Sequence, residues 1–256
     1  MKPSPKCVID RSRSCNACVA PDPRSCPYPY LLAGDEETGG AAPEHEESIA
    51  GAHEEQAMDA AGWDERYRGT ALVWAAALNR FVEGELAGLP ARRAVDLAAG
   101  EGRNAVWLAE RGWDVDAVDF SAVALAKAET LAAERGVHPR TTCTDLMAWD
   151  APEAAYDLAL IAYLQLPWPQ VSQVLRLAAT VVRSGGTLLL VGHDASNREH
   201  GFGGPQDPRV LYTTEQVAAE WRPYARILRA ETVTRPVDGP ERPRTAIDSL
   251  VRAERL

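Results

Sequence analysis

Two glycines, Gly100 and Gly102, lie in the stretch VDLAAGEGRN, between a strand-like and a helix-like segment. Glycines at such a turn let a ligand approach the backbone closely, and the helix that follows presents free N–H groups. Asp119 comes nineteen residues after Gly100, at the end of the next strand-like segment. An acid at that position accepts hydrogen bonds from ribose hydroxyls. The spacing therefore predicts a binding site for a nucleotide or nucleoside.

The residues around the glycines favour a nucleoside with an amino acid tail over a dinucleotide. Gly100-x-Gly102-x-x-Ala105 does meet the relaxed dinucleotide pattern. However, the turn would begin at two alanines, where a dinucleotide loop has its first glycine directly after the strand. The strand also carries Asp96, whose carboxylate would repel a pyrophosphate and attract an ammonium group.

The rest of this region alternates strand-like and helix-like segments, which predicts a doubly wound α/β fold with a mostly parallel sheet. Ser121 is the predicted cap of an alanine-rich helix that ends at Gly136. The last two strand-like runs have no helix between them and should pair as a hairpin. We therefore expect seven strands, one of them antiparallel to the rest, in a Rossmann-like arrangement. The predicted strands are RRAVDLAA, WDVDAVDF, TTCTDL, AYDLALIAYLQL, TLLLVGHD, YARILRAETVTRPV and TAIDSLVRAER.

The composition changes near Met58, which divides the chain into a predicted extension (1–57) and a predicted folded domain (58–256). Residues 34–59 hold nine acidic side chains and neither Lys nor Arg, and such a segment buries too little apolar surface to fold. The extension also carries four cysteines with a single CxxC, which is a weak zinc signal. We therefore predict disorder there and no metal site, with a zinc or redox site on the cysteines as the alternative. The four are Cys7, Cys15, Cys18 and Cys26.

Charge and hydropathy exclude several classes of partner. The net charge is -10, and an acidic chain without a basic cluster repels a phosphate backbone. The sequence has neither a membrane-length apolar run nor a secretory signal, which predicts a cytoplasmic protein without membrane contact. A small-molecule substrate is the default expectation, and the oligomeric state stays open. Cys143, alone in an apolar stretch, is predicted to be a small core residue.

The stretch VDLAAGEGRNAVWLAERGWDVDAVDFS resembles the first two motifs of class I S-adenosylmethionine-dependent methyltransferases. It is most similar to the small bacterial subgroup related to tellurite-resistance and thiopurine methyltransferases. The acid and three alternating glycines of the family's first motif correspond to Asp96, Ala98, Gly100 and Gly102. Ala98 departs from the usual glycine. The resemblance implies that the cofactor is S-adenosylmethionine, which has an amino acid tail and no phosphate.

The resemblance also implies a set of cofactor contacts at successive strand ends. Asp119 would hold the ribose, and Asp145 would contact the adenine amino group. Three of these assignments have an alternative. Asp145 could instead cap a strand end, and Arg103 could be solvated rather than reach the methionine carboxylate. Tyr67 and Trp63 belong to a segment that resembles the N-terminal lid of the subgroup, but they could instead be core aromatics. The implied cofactor-binding residues are Tyr67, Asp96, Ala98, Gly100, Gly102, Arg103, Asn104, Asp119, Phe120, Asp145, Leu146, Ala162 and Tyr163.

His193, in LLLVGHDAS, is the candidate catalytic base because it follows a predicted strand at the rim that faces the acceptor. A packing role for this histidine remains the alternative. His200 lies in a loop rich in glycine and proline that we expect to face the substrate. The acceptor could offer sulfur, selenium or tellurium, oxygen or nitrogen. The competing functions are an NAD(P)-dependent oxidoreductase, for which no Tyr-x-x-x-Lys pair is apparent, and a non-catalytic cofactor-binding scaffold.

Overall fold

The computed structural model describes residues 60–68, 78–237 and 244–256. The predicted extension, its four cysteines and Met58 lie outside these residues. The helices are α1 (Ala60–Arg68), α2 (Arg80–Leu86), α3 (Arg103–Glu110), α4 (Ala122–Glu134), α5 (Trp168–Val181), α6 (Asn197–His200) and α7 (Thr214–Trp221). The strands are β1 (Arg93–Leu97), β2 (Asp114–Asp119), β3 (Arg140–Cys143), β4 (Tyr156–Ala162), β5 (Val182–His193), β6 (Ala225–Val237) and β7 (Arg244–Arg255).

The seven strands form one sheet in the order β3-β2-β1-β4-β5-β7-β6. The first five strands in this order are parallel to one another, and β7 is antiparallel to both β5 and β6. This confirms the predicted mostly parallel sheet, including the terminal hairpin. The strand order reverses between β1 and β4, so the carboxyl ends of these two strands flank the crevice in which a ligand binds in such folds.

Helix boundaries largely follow the local sequence signals. Ser121 caps α4 by accepting a hydrogen bond from the Ala124 amide, and a capping box at Thr213 and Gln216 begins α7. The predicted helix before the Gly185–Gly186 pair is shorter than expected. It ends at Val181 because Val182 already pairs with Tyr156 of β4, so the glycines lie within β5. No helix in the described part of the chain is long and apolar enough to cross a membrane.

The hydrophobic core lies on both faces of the sheet. Successive residues of β4 alternate between two clusters: Ala159 and Ile161 pack with α5 and α7, whereas Leu158 and Leu160 pack with α2 and α3. This period of two is the geometry of a strand that is buried on both faces. Because both faces are covered, the strand ends are where polar groups can meet a ligand.

Cys143 is exposed, so the prediction that it is a core residue was wrong. It ends β3, the edge strand of the sheet, in which none of the four residues is buried. Its Sγ lies 3.4 Å from the carbonyl oxygen of Phe120. The direct sequence neighbours of Cys143, Thr142 and Thr144, are polar, which fits a strand at the edge of the sheet.

Candidate active site

The glycine loop between β1 and α3 contains three residues in the left-handed conformation. Their φ angles are +60° at Ala98, +54° at Gly100 and +75° at Gly102. Glycine adopts this conformation freely, whereas an alanine in it costs roughly 1–2 kcal/mol. Ala98 nevertheless adopts this conformation in the loop.

Gly102 is required sterically as well as conformationally. A Cβ at this position would lie 2.5 Å from the Cβ of Ala128 and 3.2 Å from its Cα, where α3 begins against α4. Gly136 has a similar φ of +68°, but a Cβ there would have no atom within 4 Å. An alanine at Gly136 would therefore cause backbone strain alone, whereas an alanine at Gly102 would cause both backbone strain and steric overlap.

We expect Gly102→Ala to destabilise the protein by about 1–3 kcal/mol more than Gly136→Ala, because only the first adds overpacking to backbone strain. Urea unfolding of both variants measures the difference. The double variant Gly102→Ala/Ala128→Gly should recover part of the loss, because it removes the overlapping Cβ. Equal losses in the two single variants would contradict the steric argument.

Asp96 lies near the end of β1 as a buried carboxylate without a normal partner. Its side chain is 1% exposed, and neither oxygen accepts a hydrogen bond of normal geometry from the described residues. Burial raises its pKa to about 7, and the charge of Asp119 adds to this shift. The charge of Arg103 and the nearby Ala105 amide lower the pKa of Asp96, but by less than burial raises it. A buried carboxyl of this kind stays ionised only if a cation comes to pair with it.

Asp119, at the end of β2, holds the glycine loop in place. Its two carboxylate oxygens accept hydrogen bonds from the backbone amides of Gly100 and Ser121, both at 2.8 Å. Burial raises its pKa although these two amides lower it. A carboxylate has about four acceptor positions, so two remain for a ligand. The loop-ordering role was not predicted from the sequence.

Helix α1 covers the glycine loop and is attached to the start of α4. Asp64 accepts a hydrogen bond from the Ser121 hydroxyl, and Lys127 donates to the carbonyl oxygen of Tyr67. Tyr67 is buried, and its hydroxyl oxygen lies 3.1 Å from the position a Cβ would take at Gly100. Trp63 stacks on its ring, with 5.6 Å between the ring centroids. The structure therefore places Tyr67 both in a packed helix and at the loop.

Arg103 and Asn104 begin α3 directly after the loop. The Arg103 guanidinium lies 5.8 Å from the centre of the Tyr163 ring. Burial lowers its pKa, and the charge of Asp96 is among the influences that raise it. Asn104 is buried, and its Oδ1 has no hydrogen-bond partner among the described residues. Both residues thus bring polar groups to the edge where Asp96 lies.

The residues predicted to contact the adenine, Phe120, Asp145 and Leu146, lie beyond β2 and β3, and Ala162, predicted to lie beneath the methionine part, ends β4. Asp145 is exposed and accepts a hydrogen bond from the amide of Met147, which forms a local turn. Leu146 is buried in the core, and Phe120 and Ala162 are half-buried at the ends of their strands. The local turn agrees with the alternative reading of Asp145 as a capping residue. It does not test the contact with adenine.

On the other side of β1, Tyr163 and His193 lie together beyond β4 and β5. Tyr163 has a φ of +58°, and its ring centre is 4.8 Å from that of His193. The Tyr163 hydroxyl donates to Asp248 Oδ2 at 2.8 Å. Burial raises the Tyr163 pKa, as does the charge of Asp248. A non-glycine residue in this conformation stores strain, which is common where a side chain is held for function.

Sequence reasoning missed three polar residues that complete this cluster. Asp248 of β7 is fully buried, Arg235 of β6 donates to it at 2.7 Å, and Asn79 donates to the Tyr163 hydroxyl at 3.0 Å. A lone acid inside the apolar run TAIDSLV was a usable signal for Asp248, because buried charges need partners. No local pattern indicated Arg235 or Asn79, since their contacts depend on how the terminal hairpin and α2 pack.

The predicted substrate-facing loop after β5 is folded and attached to the sheet. It contains α6 and a short 3-10 helix, Pro208–Val210. Asp194 accepts hydrogen bonds from the hydroxyls of Ser196 and Ser249. The Asn197 side chain donates to the carbonyl oxygen of Gly203 and accepts from the amide of Ile247. His200, which the sequence placed in this loop, is exposed on α6. The loop therefore forms a fixed wall beside His193.

Comparison with known proteins identifies the class to which this fold and site belong. Residues 94–186 match the family model of a methyltransferase domain. This segment runs from β1 into β5 and contains the glycine loop, Asp96 and Asp119. The chain therefore contains a methyltransferase domain, and its fold is the one that S-adenosylmethionine-dependent methyltransferases share. A search of curated proteins found no significant sequence match.

Solved structures share the fold at low sequence identity. A structure described for the conversion of a disulfide bond into a thioacetal group during echinomycin biosynthesis has a TM-score of 0.62 at 18% identity, covering 75% of this chain and 90% of that one. TehB from Haemophilus influenzae has a TM-score of 0.59 at 16% identity, and the match covers 76% of this chain and 66% of TehB. A S-adenosylmethionine-dependent methyltransferase from Methanosarcina mazei has a TM-score of 0.55 at 14% identity, covering 70% and 98%. At these identities the matches establish the fold.

The site has the chemistry that S-adenosylmethionine requires. The Asp96 carboxylate, which has no hydrogen-bond partner among the described residues, suits an ammonium group, and the spare acceptor positions of Asp119 suit ribose hydroxyls. The cofactor is S-adenosylmethionine. The matched family gives no support to the oxidoreductase alternative.

Proposed function

We propose that the protein transfers a methyl group from S-adenosylmethionine to a small-molecule acceptor. The observation that carries this proposal is the enclosed polar cluster at the carboxyl ends of β4 and β5. The His193 side chain is only 11% exposed there, and the anchored loop after β5 walls it off. A macromolecular acceptor would need a wider opening at this edge, and the net charge of -10 disfavours a nucleic acid.

Two of the structural neighbours are described with small molecules. One concerns echinomycin biosynthesis, and another is a geranyl diphosphate methyltransferase in complex with GPP and sinefungin. The second has a TM-score of 0.54 at 15% identity, covering 69% of this chain and 76% of that one. These descriptions support a small acceptor by analogy alone, since the same fold hosts many functions.

We further propose how this chain holds the cofactor. Asp96 pairs with the ammonium group and Arg103 with the carboxylate of the methionine part, while Asp119 accepts hydrogen bonds from the ribose. The loop glycines allow the backbone to approach the cofactor, with Ala98, Asn104 and Tyr67 lining the same region. Phe120, Asp145 and Leu146 are assigned to the adenine, and Ala162 and Tyr163 to the methionine part. Metal ligands form no part of this proposal.

When bound, S-adenosylmethionine supplies a methyl carbon activated by the adjacent sulfonium. The protein then has to align the acceptor, exclude water and, for some acceptors, remove a proton. The rigid wall after β5 and the buried Tyr163–Asp248 contact suit the first two tasks. The third task falls to His193, whose position at the end of β5 faces the same edge.

We also propose the boundary of the catalytic domain at Met58. The described part of this domain begins at Ala60, and α1 already contacts the glycine loop through Tyr67. The preceding acidic segment is assigned no role in catalysis, and the protein is proposed to act in the cytoplasm.

The proposed function is tested by ligand binding and product analysis. We expect calorimetry to show binding of S-adenosylhomocysteine and none of NAD, because Asp96 repels a pyrophosphate and attracts an ammonium group. Mass spectrometry of reactions with thiol, selenol, phenol and amine acceptors should then detect a methylated product. Tight NAD binding without binding of S-adenosylhomocysteine would overturn the cofactor site, and methylation of protein or RNA in place of small acceptors would overturn the acceptor class.

A further inference from the structure

Asp248 and His193 face each other at the carboxyl edge of the sheet. His193 ends β5, and its register partner on the antiparallel strand β7 is Asp248. The His193 Nδ1 lies 3.4 Å from Asp248 Oδ1. The pairing therefore follows from the backbone register of the two strands, which fixes the two side chains relative to each other.

The two oxygens of Asp248 have separate partners. Oδ2 accepts hydrogen bonds from the Tyr163 hydroxyl at 2.8 Å and from Arg235 Nε at 2.7 Å. Oδ1 accepts no hydrogen bond of normal geometry from the described residues, and it faces the imidazole. Burial would raise the pKa of Asp248, but His193 and Arg235 outweigh it and hold this pKa below its usual value. Asp248 is thus an ionised acceptor with one oxygen reserved for Nδ1.

The contact between Asp248 and His193 is shielded from water. Asp248 is fully buried, and the Nδ1 atom of His193 is buried as well. A Cβ at Gly204 would lie 3.0 Å from both Nδ1 and Cε1, so the backbone of the loop covers this side of the ring. Tyr163 covers another side, with its ring centre 4.8 Å away. The residual exposure of His193 therefore belongs to the part of the ring away from Asp248.

We propose that Asp248 positions His193 as a proton acceptor, and that the methyl acceptor is a hydroxyl compound of the phenol type. This inference rests on the proposed function and specifies its substrate class. A carboxylate at Nδ1 holds the proton on that nitrogen and leaves the lone pair on Nε2. The observed 3.4 Å contact is longer than an ordinary hydrogen bond, and such contacts shorten when the substrate complex forms.

The proton transfer balances without any further reagent. The O–H bond of the acceptor breaks, its proton moves to Nε2 of His193, and the electron pair stays on the oxygen. That oxygen would form the new bond to the methyl carbon while the bond from this carbon to the sulfonium sulfur breaks, and the electron pair of the broken bond would stay on the sulfur of the departing S-adenosylhomocysteine. The imidazolium, paired with Asp248, then returns its proton to solvent. An acceptor that is already ionised, such as a thiolate, does not need this step.

The groups around His193 make a phenol a better match than a thiol. Tyr163 and the backbone of Gly204 contact the imidazole, and Asp248 is the charged group that faces it. Two cations of the described residues contact the partners of His193: Arg235 pairs with Asp248, and Arg103 lies over the Tyr163 ring. Tyr212, whose buried hydroxyl has no partner among the described residues, lies against Gly192. Methylation of a soft anion needs no base, whereas a phenol must lose its proton, which is the task that a histidine backed by a buried acid can perform.

Two matched probes, phenol and thiophenol, test the inference, because they differ in the reacting atom and thiophenol ionises far more readily. We expect His193→Gln to lower kcat for phenol at least about a hundredfold and to leave kcat for thiophenol within about a few-fold. Asp248→Asn should lower kcat for phenol by about tenfold or more with little change in KM. The rise of kcat/KM for phenol with pH should disappear in His193→Gln, which a structural role would not cause.

The control variant is Asp194→Asn, a neighbouring buried acid that bonds to Ser196 and Ser249 rather than to His193. It should lower stability and preserve the ratio of phenol to thiophenol turnover. A second measurement needs no cofactor. Nitrogen NMR of the wild type should show the ring proton of His193 on Nδ1, and the His193 signal is assigned because it is absent from the spectrum of His193→Gln. Asp248→Asn should shift this proton towards Nε2.

The outcomes separate this inference from the proposed function. Equal losses for the two probes in His193→Gln, or methylation of thiophenol alone by the wild type, would overturn the hydroxyl acceptor and leave a small-molecule methyltransferase. A proton on Nε2 in the wild type would overturn the positioning role of Asp248. Binding of S-adenosylhomocysteine without methylation of either probe would count against the proposed function and the inference together.

Discussion

Asp96→Asn should make the cofactor-free protein more stable at about pH 8, on the order of 2–4 kcal/mol, while weakening binding of S-adenosylhomocysteine at least about tenfold. The first effect follows from the buried carboxylate, which is 1% exposed and has no normal hydrogen bond among the described residues. The second follows from the loss of the negative charge that we assign to the ammonium group of the cofactor.

The sign of the stability change depends on the direction of the pKa shift. The pKa of Asp96 in the folded protein is raised to about 7, whereas an unfolded aspartate titrates near about 3.9. Between these values the folded state binds more protons than the unfolded state, so stability falls as the pH rises from about 4 to about 7. Above about pH 7 the penalty is complete. An asparagine carries no charge and avoids it.

Urea unfolding gives the free energy of unfolding of wild type and Asp96→Asn at about pH 5 and about pH 8. The stability gained by the variant should be larger at the higher pH. Asp116→Asn is the matched control. Asp116 is also a buried acid, but Arg140, Tyr156 and Arg93 lower its pKa despite its burial. Its replacement should cost the same stability at both pH values, because both lie above the unfolded pKa. A wild-type advantage over Asp96→Asn at about pH 8 would show that the carboxylate has a partner in the cofactor-free protein.

Binding of S-adenosylhomocysteine should depend on pH for the same reason. The ammonium group pairs with ionised Asp96, so wild-type affinity should increase between about pH 6 and about pH 8. Affinity of Asp96→Asn should stay nearly constant over this range. Calorimetry at the two pH values tests this, and a parallel pH dependence in wild type and variant would assign the titration to another group.

The sequence predicted the fold well because its signals are local. The period of two along β4, the serine cap of α4 and the strand character of β6 and β7 each follow from a few adjacent residues. The two errors concern tertiary context. Cys143 lies on an edge strand, and α5 ends early because Val182 pairs with Tyr156. Neither sheet position nor strand pairing can be obtained from a single segment.

The candidate site was predictable where a motif is continuous in sequence and not where contacts join distant segments. The glycine loop and its preceding acid form one such motif, and Asp119 follows at the spacing typical of the fold. Asp248 faces His193 only because β7 folds back antiparallel to β5. Fifty-five residues separate this pair in the sequence, so their contact depends on the topology of the terminal hairpin.

Asp119→Ala should weaken binding of S-adenosylhomocysteine by at least about tenfold, and by about a hundredfold if both ribose hydroxyls bond to the carboxylate. Charge-assisted hydrogen bonds in a partly desolvated site contribute roughly 1.5–3 kcal/mol each. The structure adds a second cause of loss. The same carboxylate accepts hydrogen bonds from the Gly100 and Ser121 amides, so its removal also releases the glycine loop.

A deoxy analogue of S-adenosylhomocysteine, lacking the ribose 2′-hydroxyl, separates the two causes. Wild type should bind this analogue about tenfold or more weakly than the parent compound, whereas Asp119→Ala should hardly distinguish the two, because the partner of the missing hydroxyl is absent. Asp116→Asn again serves as control: Asp116 lies on the same strand three residues earlier and bonds to Arg140 and Tyr156. It should lower stability and keep the preference for the parent compound. If Asp119→Ala retains that preference, Asp119 orders the loop only, and the ribose is held by another residue.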